Sequence, residues 1–376
     1  MINKRRLIKL TRQLIRINSE NPPGNEKRIA RFLRGYLQGL GLRAKIYEFK
    51  KGRSNLVATL AAAGRKKSLL VTPHLDTVPA GRNWSLDPFS ATIKKSRIYG
   101  LGATDCKGNL AAAVEALNSL LEEKRVLDYN LILAATADEE CGSVLGLLSL
   151  LKKGILHPDA AVVLDADDFN IIVAQKGLAQ IKVKIEGKRA HAAYPWRGVN
   201  AIDKAADIIR RIRGHKFSYR RNKYLKGPTV NVGTIRGGDK VNIVADWCEF
   251  ELDFRFLPRM SAGSILRQVE NIIRKHTKKY RLEIEGLQQP YSISPLHPMV
   301  LHLKQAMRKL KIEPAIQGSE GATAITFFHQ RGIPAVATGF GGAGCAHMSD
   351  EFIDIDRLHK GAQVLEEFLK ESLWKR

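Results

Sequence analysis

Short apolar runs alternate with helical patterns in the first half of the chain, and the same alternation returns near its end. The runs typical of buried strands are NLVATL at 55–60, SLLVTPHLDTV at 68–78, NLILAATA at 130–137, AAVVLD at 160–165 and IPAVATG at 333–339. Helical patterns lie between them, for example at 109–123 and 143–154. This alternation predicts an α/β fold in which a mostly parallel sheet is sandwiched by helices.

The middle of the chain has a different period. Apolar and polar residues alternate one by one, as in strands with one exposed face, at 180–188, 229–238 and 248–257. Helical patterns at 201–213 and 261–279 lie among these strands, which gives the β-α-β-β-α-β order of a ferredoxin-like α+β unit. We therefore predict an inserted domain at 179–289 and a main domain composed of residues 1–178 and 290–376.

The net charge of +25 raises the question of nucleic-acid binding. The strongest local case is RRIRGHKFSYRRNKYLK at 210–226, where aromatic residues lie among Arg and Lys. Elsewhere the basic residues are spread through many helices, so a solvated surface is favoured and no nucleic-acid partner is expected. The charge would also suit acidic substrates or a hot or salty habitat, and composition does not choose between these.

The N-terminal segment and the cysteines narrow the class of protein further. Leu7, Leu10, Leu14 and Ile17 recur at helical spacing among basic residues, which predicts an amphipathic helix rather than a signal peptide. The sequence contains no run of the roughly 18 apolar residues that a membrane span requires, so we expect no membrane partner and a cytoplasmic location. The four cysteines form no CxxC pair, and we expect reduced thiols.

Polar residues collect where the predicted strands of the main domain end. His74 and Asp76 lie at the carboxyl end of the second strand, and because residues i and i+2 of a strand point to the same side, we expect them to share a face. A histidine that binds metal is commonly oriented by a carboxylate, a role that suits Asp76. A histidine satisfied by a neighbouring carboxylate in a core is the simpler alternative for this pair taken alone.

Further carboxylates and a histidine follow the other strands. They are Asp105 before a helix, Asp138, Glu139 and Glu140 after NLILAATA, Asp165 after AAVVLD and His347 after IPAVATG. Each taken alone could cap a helix or close a turn. Together at one edge of a sheet they concentrate negative charge that a cation would compensate.

The mixture of imidazole and carboxylate without thiolate favours zinc, with cobalt or manganese as alternatives. Five ligands exceed the needs of one tetrahedral zinc and suit two ions bridged by a shared carboxylate and a water molecule. Glu139 and Glu140 are adjacent and point opposite ways in an extended segment, so one can bind metal while the other acts as the general base.

Several motifs in order resemble one known family, the co-catalytic zinc amidohydrolases and metallopeptidases that include acetylornithine deacetylase, succinyl-diaminopimelate desuccinylase, aminoacylase-1 and the glutamate carboxypeptidases. The motifs are LIRINSENPPGNE, PHLDTVPAG, GLGATDCKGNLAA, TADEECGS, KRAHAAYPWRGVNAI, VNIVADWCEFELDFR and GCAHMSDEF. They extend over nearly the whole chain. The resemblance implies hydrolysis of an amide bond by two divalent metal ions.

The resemblance also implies roles in the main domain, residue by residue. His74 and Asp165 match ligands of one metal ion, Glu140 and His347 match ligands of the other, and Asp105 matches the bridging carboxylate. Glu139 matches the general base that takes a proton from the metal-bridging water, and Asp76 matches the residue that orients His74. The peptide bond between Asp105 and Cys106 is expected to be cis. Asp167 competes with Asp165 as a ligand, although its spacing from KG at 176–177 favours Asp165.

The inserted domain resembles the family's lid and dimerisation domain, so we expect a homodimer. His191 matches a histidine that reaches the partner subunit's active site and stabilises the oxyanion. Asn242 and Arg255 match residues that bind the carboxylate of the substrate. The simpler alternatives are that Asn242 shapes a turn and that Arg255 pairs with an acid on a neighbouring strand.

The expected substrate is a small N-acylated amino acid, or a short peptide with a free carboxylate. Two departures from the family pattern affect the choice between deacylase and peptidase. Asp165 is Glu in many deacylases, and Asp at this position is similar to the aminopeptidase and dipeptidase branch. GSEGA at 318–322 stands where many relatives carry a small residue, Asp and Ala, so Glu320 either replaces that Asp or marks a different pocket. A binding protein on a non-catalytic scaffold is the alternative outside the enzyme class.

Overall fold

The computed structural model of the protein describes residues 1–64, 66–342 and 344–374. The helices are α1 (Lys4–Ile15), α2 (Lys27–Gly39), α3 (Lys107–Glu122), α4 (Leu147–Lys152), α5 (Ala201–Gly214), α6 (Ala262–His276), α7 (Pro298–Lys309), α8 (Ile325–His329) and α9 (Ile355–Lys370). The strands of the first half are β1 (Arg43–Lys50), β2 (Arg53–Leu60), β3 (Ser68–Thr72), β4 (Thr92–Lys94), β5 (Arg97–Tyr99), β6 (Asn130–Ala135), β7 (Ala160–Val163) and β8 (Asn170–Gln175). Those that follow are β9 (Gly177–Glu186), β10 (Thr229–Gly237), β11 (Trp247–Phe256), β12 (Tyr280–Gln288), β13 (Tyr291–Ser292), β14 (Ala315–Ser319), β15 (Ala335–Ala337) and β16 (Phe352–Asp354).

The chain separates into two units. Unit 1 comprises Met1–Val173, Ile293–Gln317 and Thr323–Arg376, and unit 2 comprises Ala174–Ser292 and Gly318–Ala322. The short second segment of unit 2 contains Glu320 and lies outside the range predicted for the inserted domain. No described helix is both long enough and apolar enough to span a bilayer.

Unit 1 contains a sheet with the strand order β1-β2-β6-β3-β7-β15-β8. Its centre is parallel, because β3 pairs in parallel with both β6 and β7, and β7 pairs in parallel with β15. The outer strands β1 and β2 are antiparallel. Burial on both faces explains the continuous apolar runs of the central strands, and the predicted α/β class is confirmed.

The helices of unit 1 pack according to their apolar faces. α1 buries Leu7, Leu10 and Leu14, and its Asn3 N-cap side chain accepts a hydrogen bond from the Arg6 N–H. The helix ends at Ile15, so Ile17, the last residue of the predicted apolar stripe, lies two residues beyond it. α3 packs against α1 and α9 and is buried on nearly every side, which its Ala and Gly residues permit.

Unit 2 has the order β9-α5-β10-β11-α6-β12, and its sheet has the strand order β10-β11-β9-β12. This is the predicted β-α-β-β-α-β sequence of elements. One face of the sheet packs with α5 and α6 around Val183, Phe250 and Ile265. The other face carries ion pairs, such as Lys182 with Glu251 at 3.0 Å, which explains the period-two alternation seen in the sequence.

Candidate metal centre and active site

The predicted metal ligands of unit 1 come together at the carboxyl ends of its parallel strands. His74 follows β3, Glu140 follows β6 and Asp165 follows β7. His347 lies in the loop after β15, and Asp105 lies two residues before α3. The ends of parallel strands meet at one edge of a sheet, so residues far apart in sequence become neighbours there.

The second predicted strand ends earlier than its apolar pattern indicates. β3 stops at Thr72, because Pro73 has no N–H to donate to a ladder. His74 forms only an isolated bridge with Thr136, and Asp76 lies beyond it. Both residues therefore lie beyond the end of β3, where the His74 Nδ1 is 2.9 Å from the backbone oxygen of Asp76 and 3.7 Å from its carboxylate.

Asp105 lies between the two histidines and offers one carboxylate oxygen to each. Its Oδ1 is 2.9 Å from the Nε2 of His74, and its Oδ2 is 3.3 Å from the Nε2 of His347. Asp165 completes the first group at 3.9 Å from His74, and Glu140 completes the second at 3.2 Å from His347. Two donor sets thus share Asp105, one with His74 and Asp165 and the other with Glu140 and His347. The ligand atoms of Asp105, Glu140 and His347 all lie within 4.8 Å of one another.

The spacing and chemistry of these donors fit divalent metal ions. Ligand atoms about 2.0–2.1 Å from a tetrahedral zinc ion lie about 3.3 Å from one another. The distances from the two histidines to their carboxylate neighbours, 2.9 to 3.9 Å, bracket that value. Among the described residues, the buried Oε1 of Glu140 also has no hydrogen-bond partner, as expected for a carboxylate that faces a cation.

Cys106 lies close enough to His74 and Asp105 to be a geometric alternative as a ligand. Its sulfur already accepts a hydrogen bond from the His74 N–H at 3.1 Å, and its thiol donates to the His74 carbonyl at 3.4 Å. Burial raises the pKa of Cys106 to about 12, so the thiol keeps its proton. We therefore assign Cys106 a packing role. The peptide bond that joins it to Asp105 is cis, as the resemblance implied.

Acidic and basic groups in this cluster shift one another's pKa. Hydrogen bonds to Asp105 and Glu140 raise the pKa of His347 to about 10. Burial and the neighbouring carboxylates Glu139 and Asp105 raise the pKa of Asp165 well above its usual range. Burial also raises the pKa of Glu139. Metal ions bound at the cluster would replace the protons on the imidazoles, because a ligating histidine must be neutral.

Asp76 also organises the turn that carries Glu139 and Glu140. Its two carboxylate oxygens accept hydrogen bonds from the Glu139 N–H at 3.1 Å and the Glu140 N–H at 3.2 Å. Asn21 donates to the same carboxylate at 2.8 Å. A carboxylate held in this way keeps the adjacent turn in one position, which the sequence pattern did not indicate.

Glu351 is a second supporting residue that the sequence reasoning missed. Its buried carboxylate accepts hydrogen bonds from the backbone N–H groups of Gly102, Thr104 and Asp105 at 2.7 to 2.9 Å. Burial raises the pKa of Glu351 to about 7 although these donors act in the opposite direction. The only hint in the sequence was its place within GCAHMSDEF.

The geometry favours Asp165 over Asp167 as the ligand. The Asp167 carboxylate accepts weak hydrogen bonds from the Asn170 side chain at 3.5 Å and the Gly344 N–H at 3.3 Å. Asp165 instead points its Oδ1 toward His74.

Three predicted site residues lie in unit 2. His191 is exposed, and its Nδ1 accepts a hydrogen bond from the Ala193 N–H at 3.0 Å, which leaves the proton on Nε2. Asn242 is exposed in a turn, and its backbone oxygen accepts a hydrogen bond from Ala192 at 3.1 Å. Arg255 pairs with Asp253 on its own strand at 2.6 Å, so its acid partner is not on the neighbouring strand.

Glu320 also lies in unit 2, where its carboxylate has two partners. One oxygen is 2.5 Å from the Nζ of the buried Lys176, and the other accepts a hydrogen bond from the Lys226 N–H at 2.8 Å. Glu320 thus ties the short 318–322 segment to the rest of unit 2.

Comparison with known proteins places the chain in one family. Residues 70–371 match the peptidase family M20/M25/M40. Acetylornithine deacetylase of Proteus mirabilis (strain HI4320) is 32% identical over 372 residues, which cover 93% of this chain and 92% of that protein. The tripeptidase of Staphylococcus aureus subsp. aureus mu50, a crystal structure, is 28% identical with a TM-score of 0.81, and 98% of each chain is covered.

A further crystal structure shares the fold. Aminopeptidase PepT from Bacillus cereus ATCC 10987 has a TM-score of 0.81 at 24% identity, with 98% of each chain covered. The resemblance inferred from the motifs is confirmed by these comparisons. The family match covers most of the chain and includes the strand ends that carry the donor cluster. The protein therefore belongs to the peptidase family M20/M25/M40 and is a metal-dependent hydrolase.

Proposed function

We propose that the protein hydrolyses the amide bond of a small N-acylated amino acid. The observation that carries this proposal is that Asp105 is shared by two donor sets, with Glu139 next to Glu140 on one short turn. The relationship to acetylornithine deacetylase at 32% identity supports the deacylase class. The proposed ligands are His74 and Asp165 for one ion and Glu140 and His347 for the other. Zinc is the favoured metal, with cobalt or manganese as alternatives.

Divalent ions held by these ligands would supply an acidified water molecule and a Lewis acid for the carbonyl of the scissile amide. Glu139 takes the proton from the attacking water and later delivers it to the departing amine. The backbone N–H of Glu139 donates a hydrogen bond to Asp76, which fixes the backbone from which the Glu139 carboxylate extends. Asp76 also orients His74, through its backbone oxygen at 2.9 Å from Nδ1.

His191 is proposed to donate a hydrogen bond to the oxyanion that forms during attack. Its tautomer suits this role, because Nδ1 accepts from Ala193 and Nε2 carries the proton. The family resemblance implies that this histidine serves the active site of the partner subunit in a homodimer. On this proposal the unit 2 of each subunit contributes to catalysis.

Arg255 and Asn242 are proposed to hold the carboxylate of the substrate. A guanidinium binds a carboxylate in a planar, bidentate manner. Arg255 already makes such a contact with Asp253 through its Nε and Nη2 at 2.6 and 3.1 Å. The contact with Asp253 orients the Arg255 guanidinium before the substrate binds. A substrate carboxylate would either share the guanidinium with Asp253 or displace Asp253 from it.

A dipeptidase or aminopeptidase is the second candidate function. One observation favours it: Asp165 is the carboxylate that points to His74, and Asp at this position resembles the peptidase branch. The similarity to a tripeptidase at 28% identity points the same way. Both candidate functions would use the same donor cluster. They differ only in the group that the substrate carries on the nitrogen or the carbonyl carbon of the cleaved amide.

Metal analysis paired with a substrate panel tests the function. We expect about two metal ions per purified chain and turnover that chelation removes and zinc or cobalt restores. The panel contains N-acetyl and N-succinyl amino acids, dipeptides and tripeptides, and the substrate with the highest kcat/KM decides between the two candidates. A protein without tightly bound metal and without hydrolysis after reconstitution would contradict the proposal. Salt-sensitive nucleic-acid binding that persisted without metal would then favour a binding protein.

Replacing His191 with alanine is expected to lower kcat by about 100-fold, the typical effect of removing one oxyanion donor. His276→Ala, at the end of α6, serves as a control and should leave kcat unchanged. Mixing the impaired His191→Ala and Glu139→Gln chains tests the subunit assignment. Heterodimers would contain one intact site of two, so statistical mixing should restore about a quarter of the activity. No recovery in confirmed heterodimers would place His191 at its own subunit's site.

A further inference from the structure

A buried group of three charges lies directly before the turn that carries Glu139 and Glu140. The Arg53 triad consists of Arg53, Glu26 and Asp138, which are 7%, 0% and 5% exposed. The Arg53 Nε is 2.8 Å from Glu26 Oε2, and its Nη2 is 2.7 Å from Glu26 Oε1. The same Nη2 is 2.9 Å from Asp138 Oδ1. The guanidinium therefore joins two carboxylates that are distant in sequence.

A buried group of three charges is a weak source of fold stability. One cation faces two carboxylates, and removing all three from water costs free energy that a set of apolar side chains would not incur. The fit is also close, because a Cβ atom on Gly24 would lie 2.3 Å from the Arg53 guanidinium carbon. A buried planar guanidinium holds its carboxylate partners in a fixed geometry. This suits a role in positioning those partners better than a role in stabilising the fold.

Asp138 is the residue whose geometry the triad holds. Its backbone is left-handed, with φ at +66° and ψ at 20°, a conformation that costs free energy for a residue other than glycine. Its N–H donates to Glu26 Oε1 at 3.3 Å. Its Oδ2 accepts from the Leu145 N–H at 2.9 Å, and its carbonyl accepts from the Ser143 N–H at 2.5 Å. The backbone and side-chain polar atoms of Asp138 are thus all engaged.

Glu139 and Glu140 follow Asp138 immediately and form a short 3₁₀ turn. The N–H groups of this turn are held by Asp76 from one direction. Its first residue is held by the Arg53 triad from the other. The positions of the Glu139 and Glu140 side chains therefore depend on both restraints.

We propose that Arg53, together with Glu26, is a positioning residue that sets where the Glu139 and Glu140 carboxylates lie. This inference rests on the proposed roles of Glu139 as base and Glu140 as ligand. Arg53 acts through Asp138. The chemistry requires this support because a misplacement of about 1 Å can cost about 100-fold in rate.

The test is the pair of variants Arg53→Lys and Arg6→Lys. Lysine keeps the positive charge but lacks the planar guanidinium that can bind two carboxylates at once. Arg6 is a matched control, because it also joins two carboxylates, the buried Glu115 and the exposed Glu122, away from the cluster. We expect Arg53→Lys to lower kcat about 30-fold with KM within about 3-fold, and Arg6→Lys to leave both within about 2-fold. A purely structural triad would lower the melting temperature without this loss of kcat.

Two further measurements do not depend on turnover. Amide hydrogen exchange should become faster in peptides that cover residues 138–145 of Arg53→Lys and stay unchanged there in Arg6→Lys. The visible absorption spectrum of the cobalt-substituted protein should change in Arg53→Lys alone, since Glu140 is a proposed ligand. If the wild-type chain hydrolyses no substrate of the panel, the proposed function fails and these two measurements decide the positioning role.

Wild-type kcat, exchange and cobalt spectrum in a folded Arg53→Lys protein would overturn the inference. If Arg53→Lys does not fold, Asp138→Asn replaces it, because the amide keeps the shape and loses the charge. The same slow turnover and local exchange in Asp138→Asn would support the inference. Failure of both variants to fold would assign the triad to folding alone and overturn the positioning role.

Discussion

Replacing Glu139 with glutamine is expected to lower kcat by about 1,000- to 10,000-fold, the upper part of the range for loss of a general base. Glutamine has nearly the same shape but cannot accept the proton of the attacking water. The backbone N–H that Asp76 holds is unchanged by the substitution. Metal content measured by elemental analysis should therefore stay at the wild-type value while turnover of the best substrate is lost.

Asp167→Asn is the matched control for Glu139→Gln. Asp167 is an acidic residue of the same unit whose carboxylate contacts Asn170 and Gly344 rather than the donor cluster. We expect it to keep both metal content and kcat. Loss of metal from Glu139→Gln would place Glu139 among the ligands, and turnover close to wild type would remove it from the mechanism.

Replacing Asp105 with alanine is expected to have the largest effect on metal binding. Asp105 offers one oxygen to each histidine, so its removal takes a donor from both sets at once. Metal content should fall from about two ions per chain to below one, and kcat should fall by at least about 10,000-fold because the ions supply the nucleophile and the Lewis acid. Elemental analysis after dialysis against a weak chelator measures the first effect.

His347→Ala is the comparison that makes this result specific. His347 belongs to one donor set only, together with Glu140 and Asp105. Its loss should release about one ion and leave the set of His74 and Asp165 able to bind the other. If Asp105→Ala kept two tightly bound ions, the bridging role would be wrong even if activity were lost.

Periodicity predicted most of the fold because it reflects burial. The continuous apolar runs correspond to β2, β3, β6 and β7, which lie inside the sheet of unit 1. The alternating runs correspond to β9, β10 and β11, of which β9 and β11 bury every second residue. A pattern of this kind depends only on which face meets water, so it can be read without knowing the partners of each strand.

Patterning failed where the structure depends on single backbone groups. The run at 68–78 looks like one long strand, yet β3 ends at Thr72 because Pro73 cannot donate a hydrogen bond. His74 and Asp76 therefore lie beyond the strand, where the backbone oxygen of Asp76 is 2.9 Å from the Nδ1 of His74. The Asp76 carboxylate instead accepts a hydrogen bond from the Glu139 N–H.

The supporting residues of the site were the hardest to find. Glu351 holds the backbone of Asp105 from 246 positions away in the chain, and Arg53 holds Asp138 from 85 positions away. Nothing about a single Glu or Arg distinguishes such a partner from an ordinary surface charge. Only burial together with two or three directed hydrogen bonds does so.

The sequence by itself determined the alternation of strands and helices and the α/β class, because these follow from periodicity. The residue types at the strand ends limited the candidate donors to a few His, Asp and Glu residues, and the resemblance to a known family selected five of them. The tertiary structure alone decided which donor atoms face one another and which residues hold them in place. His74 and Asp105 are 31 positions apart, and Asp105 and His347 are further apart still. Their contact requires the sheet to bring its strand ends together, and free energy gained throughout the packed core stabilises that arrangement.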